Sequence, residues 1–447
     1  MSKYWLVIVM LLVPGFGWAT ENPLSATPVL TLEQAVALAL ENNRSIKNAD
    51  LEVSKQEDTL AIARTRRLPK FDATVFGSML LSKVDFTFKK GDFGTFPTGE
   101  PNPSSDVKVT TPRKFNMFSV ISADQPLTQL FRINLNVKSA KINSELAGED
   151  LRARRQSVAS DVKTAYFAVL QTQSSLDALE QSIKLYHELD RVTGDYVLQQ
   201  VALKSQGMEV KARLEKAEYD ALKLRNTVRS EKERLNQLLG QPIDTDFLVS
   251  PMPELTTFDI DLTAAQARAR EQRPELRQAI LKRKQAELDR RSKKAEFIPD
   301  ISLSYRYMSP FSLDPLPKNI SAAGLYMSWE HFDWGRKKRE LATKRKVEQQ
   351  AANNIEETET QVLAEVNARF RKLEETRVAL QVSRLSQETE REKLRVVSNR
   401  YTERAALFND VLQTESDLAQ ANHQYRDALA GFWTAKADFE KAIGEEQ

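Results

Sequence analysis

Hydrophobic residues recur along much of this chain in steps of three and four. Val411, Thr414, Leu418, Ala421, Tyr425, Ala428, Phe432, Ala435, Phe439 and Ala442 alternate the two steps without a break. That is a period of about 3.5 residues, the seam of a coiled-coil helix. Large and small side chains alternate from Leu418 onward, as interdigitation with a neighbour requires. Leu214, Ala217, Ala221, Leu224, Val228, Glu231, Leu235 and Leu238 follow the same register. Two longer stretches carry seams of their own, one through Val158, Val162, Ala165, Val169, Leu176 and Ile183, the other through Leu363, Val366, Phe370, Leu373 and Leu380. Leu170, Leu185, Leu189 and Val192 flank the first, which predicts helical neighbours on two sides.

Helix breakers support the same picture. No proline lies between Pro126 and Pro242, and neither glycine nor proline lies between Gly335 and Gly431. Runs this long without a breaker predict very long helices. One running from about residue 132 to 200 would reach on the order of 100 Å at 1.5 Å per residue.

Four short segments change period. Ser302-Leu303-Ser304-Tyr305-Arg306-Tyr307 alternates polar and apolar, as a strand with one buried or lipid-facing side does. Gly324 to Trp329 is its expected partner, and Asp72 to Phe76 and Met117 to Ser122 hold the equivalent places earlier in the chain. Strands of about ten residues can cross a membrane at a tilt. Four from one chain cannot close a barrel of useful bore, so closure needs several chains.

The chain is also doubled. An offset of 230 lays Leu32 on Leu262, Ala35 on Ala265, Ile46 on Leu276, Ala49 on Ala279 and Pro69 on Pro299. An offset of 204 lays Ala202-Leu203 on Ala406-Leu407, Leu214 on Leu418, Ala217 on Ala421 and Gly240 on Gly444. The extra residues of the first half fall where Gly91, Gly94, Pro97, Gly99, Pro101 and Pro103 cluster, which reads as a surface loop. Each half is therefore predicted to run helix, strand, loop, strand, long helix, turn, helix.

The predicted boundaries are a signal peptide over 1–19, a first repeat over 20–240, a linker over 241–261, a second repeat over 262–444 and an end segment 445–447. The first repeat holds strands near 72–82 and 116–124, a loop over 83–115, and helices over 131–200 and 206–240. The second holds strands near 301–308 and 323–329, and helices over 335–404 and 410–443.

Composition narrows the function. The chain has 447 residues, 65 Lys plus Arg, 62 Asp plus Glu, a net charge of +3, no cysteine and three histidines at 187, 331 and 423. Interleaved charge gives no basic face for nucleic acid. The absence of cysteine removes disulfides, thiolate metal sites and an acyl-cysteine anchor, and isolated histidines make a metal cluster improbable. A mean hydropathy of −0.48 excludes a bundle of membrane helices but not a β-barrel. Lys3, the apolar run Tyr4 to Val13 and Gly17-Trp18-Ala19 have the form of a secretory signal peptide, with the mature chain expected to begin at Thr20. A membrane anchor is the other reading of that run, which breaks at Pro14 and Gly15. No nucleophile arrangement, phosphate loop or metal motif indicates an enzyme, and no cofactor is expected.

The turns between long and short helices carry their own chemistry. Ser205 and Asn409 correspond under the 204 offset and are expected N-caps, with Asp410 at the first helical position, where the helix dipole favours an acid. Glu209 and Gln413 match one turn further in. On sequence alone, plain helix capping is the first reading of these acids.

LTLEQAVALALENN (30–43), the segment VALKSQG to LLGQP (201–242) and the segment RYTERAALFND to EKAIG (400–444) occur in order at doubled spacing. In this the chain resembles the TolC family of outer-membrane efflux channels. The resemblance implies a mainly α fold with a small transmembrane β-barrel. A homotrimer would close twelve strands, four per chain, above a long periplasmic α-helical barrel. Implied partners are a periplasmic adaptor, an inner-membrane pump of RND or ABC type, and outer-membrane lipid. The implied role is a passive exit duct, most simply for drug or metal efflux, with protein secretion as the alternative. A periplasmic coiled coil without a pore is the competing class.

Tyr401 and Asp410 match the family's gating positions. The arginine expected near Ala406 is missing, Gln413 replaces an aspartate, and Gln206 is the first-repeat counterpart of Asp410. The resemblance therefore implies a gate over Tyr401, Asp410, Glu209, Gln206 and Gln413, without a full charged network. Val201, Ala202, Leu203, Ala405, Ala406 and Leu407 match the tip segments on which adaptors dock; small residues there also simply permit a tight turn.

Overall fold

A computed structural model describes residues 28–79, 81–111, 115–200, 203–251, 261–310, 319–403 and 405–445. The expected signal peptide lies outside them. The chain divides into two compact units, one of residues 1–39, 161–256 and 383–430, the other of residues 40–160, 257–382 and 431–447.

The first half opens with β1 (Val29–Leu30), α1 (Leu32–Asn42) and α2 (Arg44–Thr65), then β2 (Lys70–Met79), β3 (Val84–Phe88), β4 (Val107–Thr111) and β5 (Phe115–Pro126). The long helix α3 (Gln129–Leu198) and α4 (Lys204–Leu239) follow. After β6 (Leu248–Val249) the pattern repeats as α5 (Leu262–Gln272), α6 (Pro274–Ala295), β7 (Asp300–Pro310), β8 (Ile320–Ser328), α7 (Arg336–Thr402) and α8 (Phe408–Ala442). No described helix is long and apolar enough to cross a membrane.

Three local differences from the sequence expectation have physical causes. The helix expected ahead of each first strand is broken in two. Asn43 turns extended and its side chain accepts from the Ser45 and Ile46 amides at 2.9 and 3.4 Å, while Arg273 does the same turn ahead of Pro274 at the first helical position. The segment expected as a loop over 83–115 contains the antiparallel pair β3–β4, because alternating Asp85-Phe86-Thr87-Phe88 meets the β-rich Val107-Lys108-Val109-Thr110-Thr111. The linker over 241–261 supplies β6, which pairs in parallel with β1.

In the first unit, Val162, Ala165, Tyr166, Phe167 and Val169 of α3 are buried together with Leu214, Ala217, Ala221, Val228 and Leu235 of α4. The α4 positions are those of the seam read from sequence. The Tyr166 hydroxyl donates to the Leu30 carbonyl at 2.9 Å and accepts from the Ser250 amide at 3.0 Å, tying β1 to the chain after β6. Burial pushes its pKa up.

In the second unit, Val366, Leu373 and Leu380 of α7 are buried, as are Phe432, Ala435, Phe439 and Ala442 of α8. Gly444 follows α8 at φ +79°; a Cβ there would stand 3.0 Å from the Gln272 carbonyl carbon, so glycine is needed for both reasons.

The sheet of this unit is antiparallel in the order β2-β5-β7-β8. Directly paired residues of an antiparallel sheet share a face, so its register sorts the side chains. One face carries Phe71, Val75 and Met79, then Ile121 and Phe115, Leu303 and Tyr305, Leu325 and Met327. All nine are exposed. The other face mixes Asp72, Ser122, Asp124, Ser302, Ser304 and Arg306 with Phe76, Phe118 and Tyr326. The outer edges of β2 and β8 have no partner strand among the described residues.

Candidate functional site

The two helix turns of the first unit hold the residues singled out by sequence. At the first turn α3 ends at Leu198, and Gln200 takes φ +60°, a left-handed backbone unusual for a side chain of that size. Val201 and Ala202 lie outside the described residues. Leu203 is the extended residue ahead of α4, with φ −76° and ψ 143°. Its amide donates to the Gln206 side-chain carbonyl at 3.0 Å. Leucine has no side-chain oxygen to return the favour, so only the reciprocal half of a capping box forms.

The second turn repeats this with a charge. Leu407, the residue that matches Leu203, donates its amide to Asp410 Oδ2 at 3.0 Å. The Asp410 amide donates back to the Leu407 carbonyl at 3.1 Å, and the Thr414 hydroxyl to the Asp410 carbonyl at 2.7 Å. A carboxylate held in the first turn of a helix also faces the positive end of its dipole.

The expected caps are therefore displaced. Ser205 lies inside α4 and Asn409 inside α8, and Asp410 is the third helical residue rather than the first. Each turn is instead closed backwards from the third helical position, by Gln206 and by Asp410. The signal available in sequence was the matched Leu203–Gln206 and Leu407–Asp410 spacing, hidden because leucine is a poor cap.

The remaining residues expected at the gate are spoken for locally. Glu209 accepts from Arg213 at 2.8 Å, one turn on, and Gln413 donates to Asp417 at 2.9 Å. Tyr401 lies in the last turn of α7. Among the described residues none of Gln206, Glu209, Asp410 and Gln413 bonds to another of the set. Glu415, two turns into α8, is pushed up in pKa by burial.

Leu203 and Leu407 are 69 % and 72 % exposed, Ala405 is exposed and Ala406 half-buried. Above each turn runs a groove that the sequence reading did not anticipate. Between α3 and α4 a cavity of about 470 Å³ is floored by Gly194 and Gly207 and bordered by Arg191, Lys204 and Lys211 against Asp190 and Asp195. Between α7 and α8 one of about 590 Å³ is bordered by Glu388, Glu392 and Asp417 against Lys393. The two repeats thus present like shapes with opposite net charge. Among the described residues no cluster of His, Cys, Asp or Glu could hold a metal ion.

Known proteins share the fold. A family description, outer membrane efflux protein, matches residues 35–241 and 266–445. The outer membrane channel CmeC of Campylobacter jejuni superposes with a TM-score of 0.76 at 17 % identity, over 98 % of this chain and 95 % of that one. The outer-membrane channel OprN gives 0.75 at 18 %, over 93 % and 90 %. The open state of the Neisseria gonorrhoeae MtrE channel gives 0.74 at 19 %, over 92 % and 88 %. At these identities the likeness is one of fold. No curated protein matches the sequence.

Proposed function

The chain belongs to the outer membrane efflux protein family, whose members are outer-membrane channels and not enzymes, and from that premise we propose that three copies form one conduit. Four strands from each copy close a twelve-stranded barrel in the outer membrane, and the long helices continue it into the periplasm. The observation that carries this reading is the sheet. Its apolar face is exposed, its opposite face holds Asp72, Asp124 and Arg306, and both long edges are open. An open sheet with those properties aggregates in water, whereas lipid outside, water inside and closure through neighbouring copies satisfy every part of it.

The conduit is the exit duct of a tripartite system with a periplasmic adaptor and an inner-membrane pump. Export of small molecules such as drugs or metal ions with an RND-type pump is the reading we adopt. The helix turns form the gate, and the exposed Leu203 and Leu407 with their neighbouring small residues receive the adaptor. Asp410 lends the entrance three carboxylates per trimer. Glu209 adds less, because Arg213 lies against it.

Purified protein in a planar bilayer tests the pore. Stepwise conductance with a preference for cations is expected, and an Asp410→Asn, Glu209→Gln double variant should lose the preference while conducting. A protein that never conducts overturns the channel, and an unchanged selectivity overturns the carboxylate entrance.

A further inference from the structure

The end of the sheet that meets the helices is both basic and aromatic. Register places Lys70, Pro126, Asp300 and Ser328 together at that end, where α2 and α6 finish and α3 and α7 start. A cavity of about 690 Å³ opens there, lined by Arg290, Arg291 and Lys294 from the last turns of α6, by Phe297 and Ile298 just after it, and by Phe131 of α3.

Its charges are not balanced. Glu348 takes Arg290 at 2.6 Å. Glu287 lies 3.6 Å from Arg291 with both side chains 46 % exposed, a pairing that solvent largely screens. Lys293 is held by Glu296 and Glu340, but no carboxylate among the described residues pairs with Lys294. Beside these cations Phe131, Phe297 and Ile298 are about half exposed. Exposed apolar surface next to an unpaired lysine and a solvent-screened arginine marks a contact with something amphiphilic.

Two further observations place the same chemistry around this end. Under the 230 offset, Arg64 falls on Lys294 and Leu68 on Ile298, and Leu68 is also exposed. After β8, Trp329, Phe332 and Trp334 are exposed, and Trp334 is held outward by a left-handed backbone at φ +57°. Exposed Lys338 and Arg339 follow, while Arg336 and Lys337 are taken up by Glu330.

We propose that the α6 cavity binds the headgroup of an anionic phospholipid from the periplasm-facing leaflet of the membrane. The phosphate lies against Arg291 and Lys294, and an acyl chain covers Phe131, Phe297 and Ile298. The inference rests on the reading that the sheet crosses the membrane, since only then does this end lie at headgroup depth. Charge complementarity selects an anionic lipid over a zwitterionic one, and exposed aromatics are the residues proteins use at that depth. A free phosphate ion would use the cations and leave the three apolar side chains uncovered.

The test uses the full-length protein purified in detergent and mixed with micelles doped with phosphatidylglycerol or phosphatidylcholine, with retained lipid counted by native mass spectrometry. Phosphatidylglycerol should be retained on the order of tenfold more, from two cations near an anionic headgroup. Arg291→Gln with Lys294→Gln should abolish the preference, Arg291→Lys with Lys294→Arg should keep it, and Phe297→Ser with Ile298→Ser should lower retention of both lipids. Equal retention of the two lipids, or a preference that survives the glutamine pair, overturns the site. Inorganic phosphate that displaces phosphatidylglycerol while the serine pair changes nothing overturns the lipid in favour of a free anion. Conductance in a phosphatidylcholine bilayer is measured in parallel. Pores without lipid preference overturn the cavity alone, and absent pores overturn the membrane reading beneath it.

Discussion

At the corner between α1 and α2 and at the corner between α5 and α6, the backbone does the same thing with different chemistry. Asn43 has φ −61° and ψ 126°, and Arg273 has φ −67° and ψ 123°. Both are buried. Asn43 caps α2 through two backbone amides within three residues of itself. Arg273 cannot cap, having no acceptor; Pro274 removes one orphan amide instead, and the guanidinium reaches across the unit. It donates to Glu275 at 2.9 Å, to Glu365 of α7 at 2.8 Å and to the Ala442 carbonyl at the end of α8 at 3.1 Å. Duplication has thus kept a backbone bend and let its support diverge, from a local cap to a clamp on three helices.

Breaking that comparison gives the largest expected effect. Arg273→Met should destabilise the fold by about 2–3 kcal/mol, because the clamp's carbonyl and carboxylates lose a charged donor, although both acids stay partly hydrated. Asn43→Ala should cost about 1 kcal/mol, the ordinary worth of a helix cap. Thermal loss of helical circular dichroism separates the two. Equal shifts would mean that the arginine also acts only as a corner residue.

How much of this was readable in sequence follows from how local each cause is. The long helices were legible because breakers are absent over whole spans, and the four strands of the main sheet because their period differs. The corner breaks were not, since apolar spacing runs on through Asn43 and Arg273. The β3–β4 pair was masked by the glycines and prolines of its own connecting segment. At the turns the helix ends were legible and the contacts were not. Ser205 and Asn409 are better caps by type than Leu203 and Leu407, yet the chain is closed from the third helical position. The grooves above the turns depend on two helices meeting, which no single seam encodes.

A second contrast lies between paired and unpaired polar groups in the first unit. Glu231 of α4 accepts from the Thr172 hydroxyl at 3.1 Å with one oxygen, and its other oxygen is buried without a partner. Burial raises its pKa despite that bond. A carboxyl whose folded pKa lies above its unfolded value binds more protons when folded. Stability from this group is therefore full at low pH and falls as pH rises through the raised folded value. Glu231→Gln should raise the melting temperature at about pH 7.5 and leave it unchanged at about pH 3, where both states are protonated. A gain of equal size at both values would assign the effect to packing.

The smallest expected effect is at the two turns, where the same back-bond is made once by a neutral amide and once by a carboxylate. Neither turn contributes much to global unfolding, because helix ends open locally. Amide exchange at Leu203 and Leu407 reads them directly. Gln206→Ala removes a neutral bond at a solvated turn and should speed exchange at Leu203 by roughly threefold. Asp410→Ala removes the bond and a charge that faces the helix dipole, and should speed exchange at Leu407 by roughly tenfold. Asp410→Asn keeps an acceptor oxygen without the charge and should fall between them. The intermediate value is the informative one. If asparagine matches aspartate, the charge plays no part in closing the turn and is free for the proposed role at the entrance. If asparagine matches alanine, the carboxylate is committed to the helix, and mutating it to probe selectivity also loosens the turn.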